Sequence, residues 1–376
     1  MTVVPNLLTL GAASRNVGKT EFACALIRRF AQTQPVFAVK ITTVQERDGL
    51  CPRGGKGCGV CSSLCDTFDI SEDDPAHTDP SKDTARMRAA GARQVFWLRV
   101  LRDHLEEGVT ALLARIPPGA CTVCESNSVR QVIEPGAFLI IRDPETTAIK
   151  ASCAAVLPLA DRIVGFHGDG WDFSPDRCAF SNGRWSVPLA ATVAVLAGGR
   201  SRRMGQDKSL MPFRGRPLLG HILDQLRPLA DELLVGANDP DRFAFAGCPI
   251  IPDEEPDQGP LMGILSCLTA ASHDRVLVTA CDIPERPLDF LRDLLRRASH
   301  ADIVMPRNAD GRCEPLLAVY TRRIIPVVRA VLARGERRIT ALCDEPGIRT
   351  DPVPMPPGDW YHNLNTPEDY RRILHP

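Results

Sequence analysis

Two stretches of this chain combine residue types suited to phosphate chemistry. At 191–197 an apolar run, ATVAVLA, leads into a glycine pair and a basic loop, so that Leu196 to Lys208 reads LAGGRSRRMGQDK. Leu196, Ala197, Gly198 and Gly199 would bring the backbone close to a ligand, because glycine tolerates positive φ and successive N–H groups form an anion-binding nest. Arg203 and Lys208 add permanent charge for a triphosphate whose negative charge shifts during attack. Nearer the start, residues 13–20 read ASRNVGKT and fit the phosphate-loop pattern G-x-x-x-x-G-K-[ST] except at Ala13. Asn16 and Val17 complete the bend, Gly18 permits close approach, Lys19 reaches the β- and γ-phosphates, and Thr20 offers a hydroxyl to Mg²⁺.

Carboxylates stand where such loops need them. Asp282 ends the run VLVTACD, so its carboxylate projects from the C-terminal edge of a sheet, where open α/β sheets bind ligands. One or two carboxylates plus substrate phosphates is the usual way to hold Mg²⁺. Taken alone, Asp282 would serve equally as a helix N-cap before Pro284. Glu125 ends the run ACTVCE and is placed as the second acid of the N-terminal site, with Ser126 to Ser128 beside it. Asp83 reads as a first-turn helix carboxylate.

Cysteines form a third pattern. Cys51, Cys58, Cys61 and Cys65 fall within 15 residues of a glycine-rich stretch. That spacing lets one loop wrap a tetrahedral zinc or an iron–sulfur cluster, the cluster being favoured because the pattern is not two CxxC knuckles. His77 is a spare ligand, and Cys121 with Cys124 adds a further candidate pair. The remaining cysteines read as small core residues.

Alternating apolar segments must position these groups. Strands at 5–11 and 36–44 flank a helix at 19–31. Residues 47–80, rich in Gly, Cys, Asp and Pro, read as an insert and not a layer of the sheet. Helix 83–91, strand 94–100, helix 101–115, strands 120–125 and 137–141, helix 145–159 and strand 161–166 follow. A second series runs through strand 191–197, helix 217–228, strand 231–236, helix 260–271, strand 274–279, helix 287–298 and strand 301–305. The fold class is therefore α/β: two doubly wound, mostly parallel sheets, a P-loop NTPase-like domain over 1–187 and a Rossmann-like domain over 188–376.

Length and composition agree. The 376 residues suit two domains at roughly 150 residues each. With 45 basic and 46 acidic residues the net charge is −1, so no basic field points to nucleic acid. No apolar run reaches membrane-spanning length, and the first residues read as a strand, not an export signal. The expected setting is cytoplasmic and reducing, where clustered cysteines bind metal more often than they pair.

The C-terminal half resembles the molybdenum cofactor guanylyltransferases, the MobA family of GT-A nucleotidyltransferases. The resemblance rests on the 196–208 string, Asn238 after LLVGAN, Asp253 with GPLMG at 259–263, CDIP at 281–284, EPLLA at 314–318 and NLNTPED at 363–369. It implies transfer of GMP from GTP to molybdenum-bound molybdopterin with release of pyrophosphate. In that reading Asn238 and Asp253 meet guanine and ribose, Asp282 holds Mg²⁺, and Lys208 and Arg203 manage phosphate charge. The glycine pair leans toward GTP over CTP. A cytidylyltransferase or a sugar-phosphate nucleotidyltransferase is the enzymatic alternative.

The N-terminal half is similar to dethiobiotin synthetases and to the MobB family of small GTP-binding proteins. The resemblance implies a GTP-binding accessory domain, capable of weak GTP hydrolysis, fused to the transferase. Ala12 and Ala13 stand where those families carry glycine, and the cysteine cluster is not a MobB feature. A reading of another class is a cluster-bearing nucleotide sensor that docks on molybdoenzyme chaperones or apoenzymes.

Overall fold

The computed structural model describes all residues except 45–63, 65, 75–78, 198–206, 359, 361–363, 365–366 and 375–376. The chain divides into two compact units, Met1–Val187 and Pro188–Pro376.

The first unit is built on strands β1 (Thr2–Ala12), β2 (Val36–Val44), β3 (Phe68–Glu72), β4 (Gln94–Leu101), β5 (Cys121–Glu125), β6 (Ile133–Arg142) and β7 (Arg162–Gly165), ordered β3-β4-β2-β5-β1-β6-β7. Every pairing is parallel except β3 with β4. Helices α1 (Lys19–Phe30), α2 (Asp83–Ala89), α3 (Leu105–Leu113) and the short α4 (Ala151–Ala154) flank it, and a small hairpin of β8 (Ala179–Ser181) and β9 (Arg184–Ser186) closes the unit. β1 is covered on both faces. Leu8 and Leu10 pack with Phe22, Leu26 and Ile27 of α1, while Val4 and Leu7 join Leu105, Val109 and Leu112 of α3. Two-sided burial is why a central parallel strand reads as an apolar run.

Two expectations fail here. Residues 68–72 are an edge strand of the sheet, not part of an insert outside it, held by the partly buried Phe68 and Ile70 and by an ion pair between Asp69 and Arg99 at 2.6 Å. The helix expected over 145–159 shrinks to α4 and one 3₁₀ turn at Leu157–Leu159. The Lys150 amide donates to the Ala13 carbonyl at 2.9 Å, a long-range bond that pins the segment to the turn between β1 and α1, and Pro158 has no N–H to extend the helix.

The second unit contains β10 (Leu189–Leu196), a small hairpin of β11 (Pro212–Phe213) and β12 (Arg216–Pro217), β13 (Ala230–Gly236), β14 (Ile250–Ile251), β15 (Arg275–Ala280), β16 (Ile303–Arg307), β17 (Leu317–Thr321) and β18 (Thr350–Pro354). Its main sheet is ordered β14-β13-β10-β15-β17-β16-β18. The first four are parallel, but β17 runs antiparallel to both β15 and β16, so this sheet is mixed. Helices α5 (Leu218–Leu226) and α7 (Leu288–Arg297) pack on the face of Val193 and Val195, and α6 (Pro260–Ala270) and α8 (Ile325–Ala333) on the face of Ala194. A last helix, α9, spans Pro367–Leu374.

Candidate functional site

In the second unit the carboxyl ends of β10, β13, β14 and β15 lie side by side, and backbone bonds lace them beyond the strands. The Ala197 amide donates to Gly236 at 2.9 Å, the Ala237 amide to Ile251 at 2.9 Å, and the Cys281 amide to Leu196 at 3.3 Å. Side chains pack tightly over Gly236: a Cβ there would sit 2.6 Å from the Leu196 side chain and 3.1 Å from the Cys267 sulfur. Leu196, Ala197, Asn238, Asp253 and Asp282 therefore leave one sheet edge together.

Asn238 and Asp253 form a reciprocal pair. The Asn238 amide nitrogen donates to Asp253 Oδ2 at 2.9 Å, and the Asp253 backbone N–H donates to Asn238 Oδ1 at 2.7 Å. Six residues beyond Asp253, Gly259 takes φ +80° at the N-terminus of α6, followed by Pro260 at the first helical position.

Lys208 opens a 3₁₀ turn, Lys208–Leu210, capped by Asp207: Oδ1 accepts from the Ser209 amide at 3.0 Å and from its hydroxyl at 2.6 Å. The other Asp207 oxygen meets Arg242 at 3.1 Å, which ties the turn to the segment following Asn238. Asp282 is half-buried. Burial pushes its carboxyl above the ordinary value, opposed by the charge of Lys208, its own backbone N–H and Arg286. The hard carboxylate oxygens of Asp282 fit Mg²⁺, which they would hold and which would neutralise phosphate charge, while Lys208 beside it fits the phosphates themselves. Gly198, Gly199 and Arg203 lie outside the described residues.

The first unit gathers its own set at the carboxyl ends of β1, β2 and β5. Gly18 caps α1 in the left-handed conformation at φ +68°, and a Cβ there would meet the Phe166 ring at 2.7 Å. Asn16 is also left-handed at φ 57°, and Val17 is buried. Lys19 Nζ stands 3.4 Å from Glu125, whose two buried oxygens accept no hydrogen bond among the described residues. The Thr20 hydroxyl donates to Asp83 at 3.2 Å, and Lys40 pairs with the same carboxylate. Burial raises the Asp83 carboxyl, but Lys40 and Thr20 outweigh it and hold the group below its ordinary value. A hydroxyl and two carboxylates, one of them ion-paired with Lys19 but accepting no hydrogen bond among the described residues, are the donor types a divalent cation takes. Asn127 is committed elsewhere: it bonds Ala12 through both its oxygen and its nitrogen.

The Cys121–Cys124 pair must be corrected. Three residues apart on β5, the two thiols enter opposite cores, Cys121 with α1 and Cys124 with α3, and they cannot hold one metal. Burial pushes the Cys121 thiol up to about 12 and Cys124 further still. Cys51, Cys58, Cys61, Cys65 and His77 lie outside the described residues. Among the described residues no group of three His, Cys, Asp or Glu side chains is arranged around a metal position. No described helix is long and apolar enough to cross a membrane.

Sequence reasoning missed Lys40, Asp207, Arg242 and Arg286. A lysine inside the apolar run VFAVKITTV was a usable signal for the first. Arg286 had none, since a buried arginine looks like a surface one in sequence.

A family model described as a MobA-like NTP transferase domain matches residues 193–350. A probable molybdenum cofactor guanylyltransferase of Carboxydothermus hydrogenoformans is 36% identical over 188 residues, which cover 49% of this chain and 94% of that protein. A molybdenum cofactor guanylyltransferase of Pseudomonas fluorescens strain SBW25 is 37% identical over 158 residues, 40% of this chain and 78% of that one. The crystal structure of molybdopterin-guanine dinucleotide biosynthesis protein A from Archaeoglobus fulgidus is similar at 24% identity and a TM-score of 0.42, covering 49% of this chain and 96% of that one.

Proposed function

Through its second unit the chain belongs to the molybdenum cofactor guanylyltransferase family, and from that premise we propose that it transfers GMP from GTP to molybdenum-bound molybdopterin, releasing pyrophosphate. The observation that carries this reading is the convergence of Asn238, Asp253, Asp282 and the Lys208 turn on one sheet edge. The pterin's terminal phosphate attacks the α-phosphorus of GTP. A phosphate dianion needs no general base, so the protein's part is positioning and charge.

Lys208 and Arg203 take up negative charge on the triphosphate, and the backbone at Leu196 to Gly199 cradles it. The Asn238–Asp253 pair is a rigid polar edge for guanine and ribose. Mg²⁺, held by Asp282, supplies charge neutralisation on the phosphate oxygens when bound. The test is pyrophosphate release by the full chain with the pterin and either GTP or CTP. Turnover with GTP supports the reading; turnover with CTP alone sinks it.

The first unit serves in this reading as a MobB-like GTP-binding accessory domain. Gly18, Lys19, Thr20 and Glu125 at one sheet edge support it, with Asn16 and Val17 shaping the bend. Cys51, Cys58, Cys61 and Cys65 are the proposed ligands of an iron–sulfur cluster or zinc, on the strength of their spacing. Anaerobic purification with metal analysis and an absorption spectrum tests that, and metal-free protein refutes it. The setting proposed is cytoplasmic, with recipient apoenzymes or their chaperones as the partners that the product calls for.

A further inference from the structure

Arg286 belongs to none of the motifs above, yet it is buried in the second unit with only 7% of its surface exposed. Buried arginines are rare unless their charge and donors are used. Its Nε and Nη2 donate to the Thr279 hydroxyl at 3.3 and 3.2 Å, and Nη2 also donates to the Ala280 carbonyl at 2.7 Å. Nη1 is buried with no hydrogen-bond partner among the described residues. The charged or ionisable groups that act on it are Cys281, Asp282 and Glu285, and burial lowers its own pKa to about 10, so it stays cationic at neutral pH.

The acceptors explain the placement. Thr279 and Ala280 are the last two residues of β15, and Asp282 comes two residues later. The guanidinium reaches back across the loop 281–285 to the strand that the loop has just left. Other bonds hold the far side: Gln225 donates to the Pro284 carbonyl at 2.9 Å, Arg214 meets Glu285 at 2.8 Å, and the Asp282 carbonyl accepts from the Leu364 amide at 2.8 Å. A planar fork spans a hydroxyl and a carbonyl at once; an ammonium is a point donor and does not reproduce that geometry.

We propose that Arg286 is a positioning residue for guanylyl transfer, clasping Thr279 and Ala280 so that the loop holds the Asp282 carboxylate toward the phosphates and their divalent cation. The inference rests on the reading of Asp282 as the cation-binding carboxylate. Groups that orient a metal ligand typically govern metal affinity by about 10–100-fold.

The test compares the full-length wild type with Arg286→Lys, which keeps the charge and loses the fork, and with Thr279→Val, which removes one acceptor at nearly constant volume. Two readouts are used: the Mg²⁺ dependence of pyrophosphate release with GTP, and amide hydrogen exchange across 280–287. Arg286→Lys is expected to raise the half-saturating Mg²⁺ about tenfold, to change the rate at saturating Mg²⁺ much less, and to speed exchange in 281–286 alone. Thr279→Val should move both readouts in the same direction by a smaller factor. A wild-type Mg²⁺ dependence in both variants, even with a lowered melting temperature, would reduce Arg286 to a structural residue and overturn the proposal. Asp282→Asn separates the two layers. If it leaves the Mg²⁺ dependence unchanged, the assignment of Asp282 fails, whatever the exchange data say of the clasp.

Discussion

Asn238 and Asp253 hold each other through two hydrogen bonds across adjacent strand ends, at 2.9 and 2.7 Å. The Asn238 side chain thus has its oxygen anchored by a backbone N–H, which fixes the orientation of its amide. Asn238→Ala removes both bonds and leaves the Asp253 carboxylate without its amide donor. Losing a hydrogen bond to a charged group costs about 1.5–3 kcal/mol. The expected result is a KM for GTP raised at least about tenfold, with weaker discrimination against CTP and a smaller change in kcat. Steady-state kinetics with both nucleotides measures this, and unaltered GTP preference would exclude Asn238 from base recognition.

Lys19 and Glu125 make the matching pair in the first unit, with Glu125 fully enclosed. Lys19→Ala leaves a buried carboxylate without its cation, a loss of about 1–3 kcal/mol. On the proposed reading it should abolish nucleotide binding by the first unit and lower that unit's stability, while Lys19→Ala with Glu125→Gln recovers part of the stability and none of the binding. Three of the four tryptophans, at 97, 171 and 185, lie in this unit, so urea unfolding followed by fluorescence reports mainly on it. Guanylyl transfer that persists in the single variant would show that the second unit acts alone.

The parallel strands were legible because burial on both faces makes them apolar runs, as in β1 and β10. The motif residues at their ends were legible for the same reason: Asp282, Glu125 and Asn238 are the first polar groups after such runs. What was lost depends on the third dimension. Strand β17 looks like any apolar run, and nothing in LAVYT says that it runs antiparallel beside β15. Lys150 bonds Ala13 across 137 positions, which no local propensity contains. Arg286 acts through Thr279 and Ala280, and a residue's burial is decided by what packs over it.

The two thiols of β5 illustrate the period of a strand. Cys121 and Cys124 face opposite cores, so Cys121→Ala and Cys124→Ala should each leave the metal content of the purified protein unchanged. Each costs stability through a small cavity, about 1–2 kcal/mol. Cys58→Ser with Cys61→Ser, by contrast, is expected to strip whatever metal the glycine-rich segment holds. Elemental analysis of the variants distinguishes the pairs, and loss of the same metal in both Cys121→Ala and Cys124→Ala would contradict the facing of β5.

Asp83 gives the first unit a pH signature. Its carboxyl, raised by burial but lowered more strongly by Lys40 and Thr20, titrates below its ordinary value of 3.8 in the folded protein. A depressed carboxylate stabilises the fold above its unfolded pKa, about 3.9, and that contribution is lost as pH falls through the folded value. The wild type should therefore exceed Asp83→Asn in stability by a constant margin above about pH 5. The margin should shrink below pH 4 and vanish in stronger acid. The side chain is one-third exposed, which keeps the difference within about 1 kcal/mol. Urea midpoints of both proteins between pH 3 and 7 measure it. A margin that instead grows on acidification would mean that Asp83 is protonated in the folded unit, and its pairing with Lys40 and Thr20 would have to be abandoned.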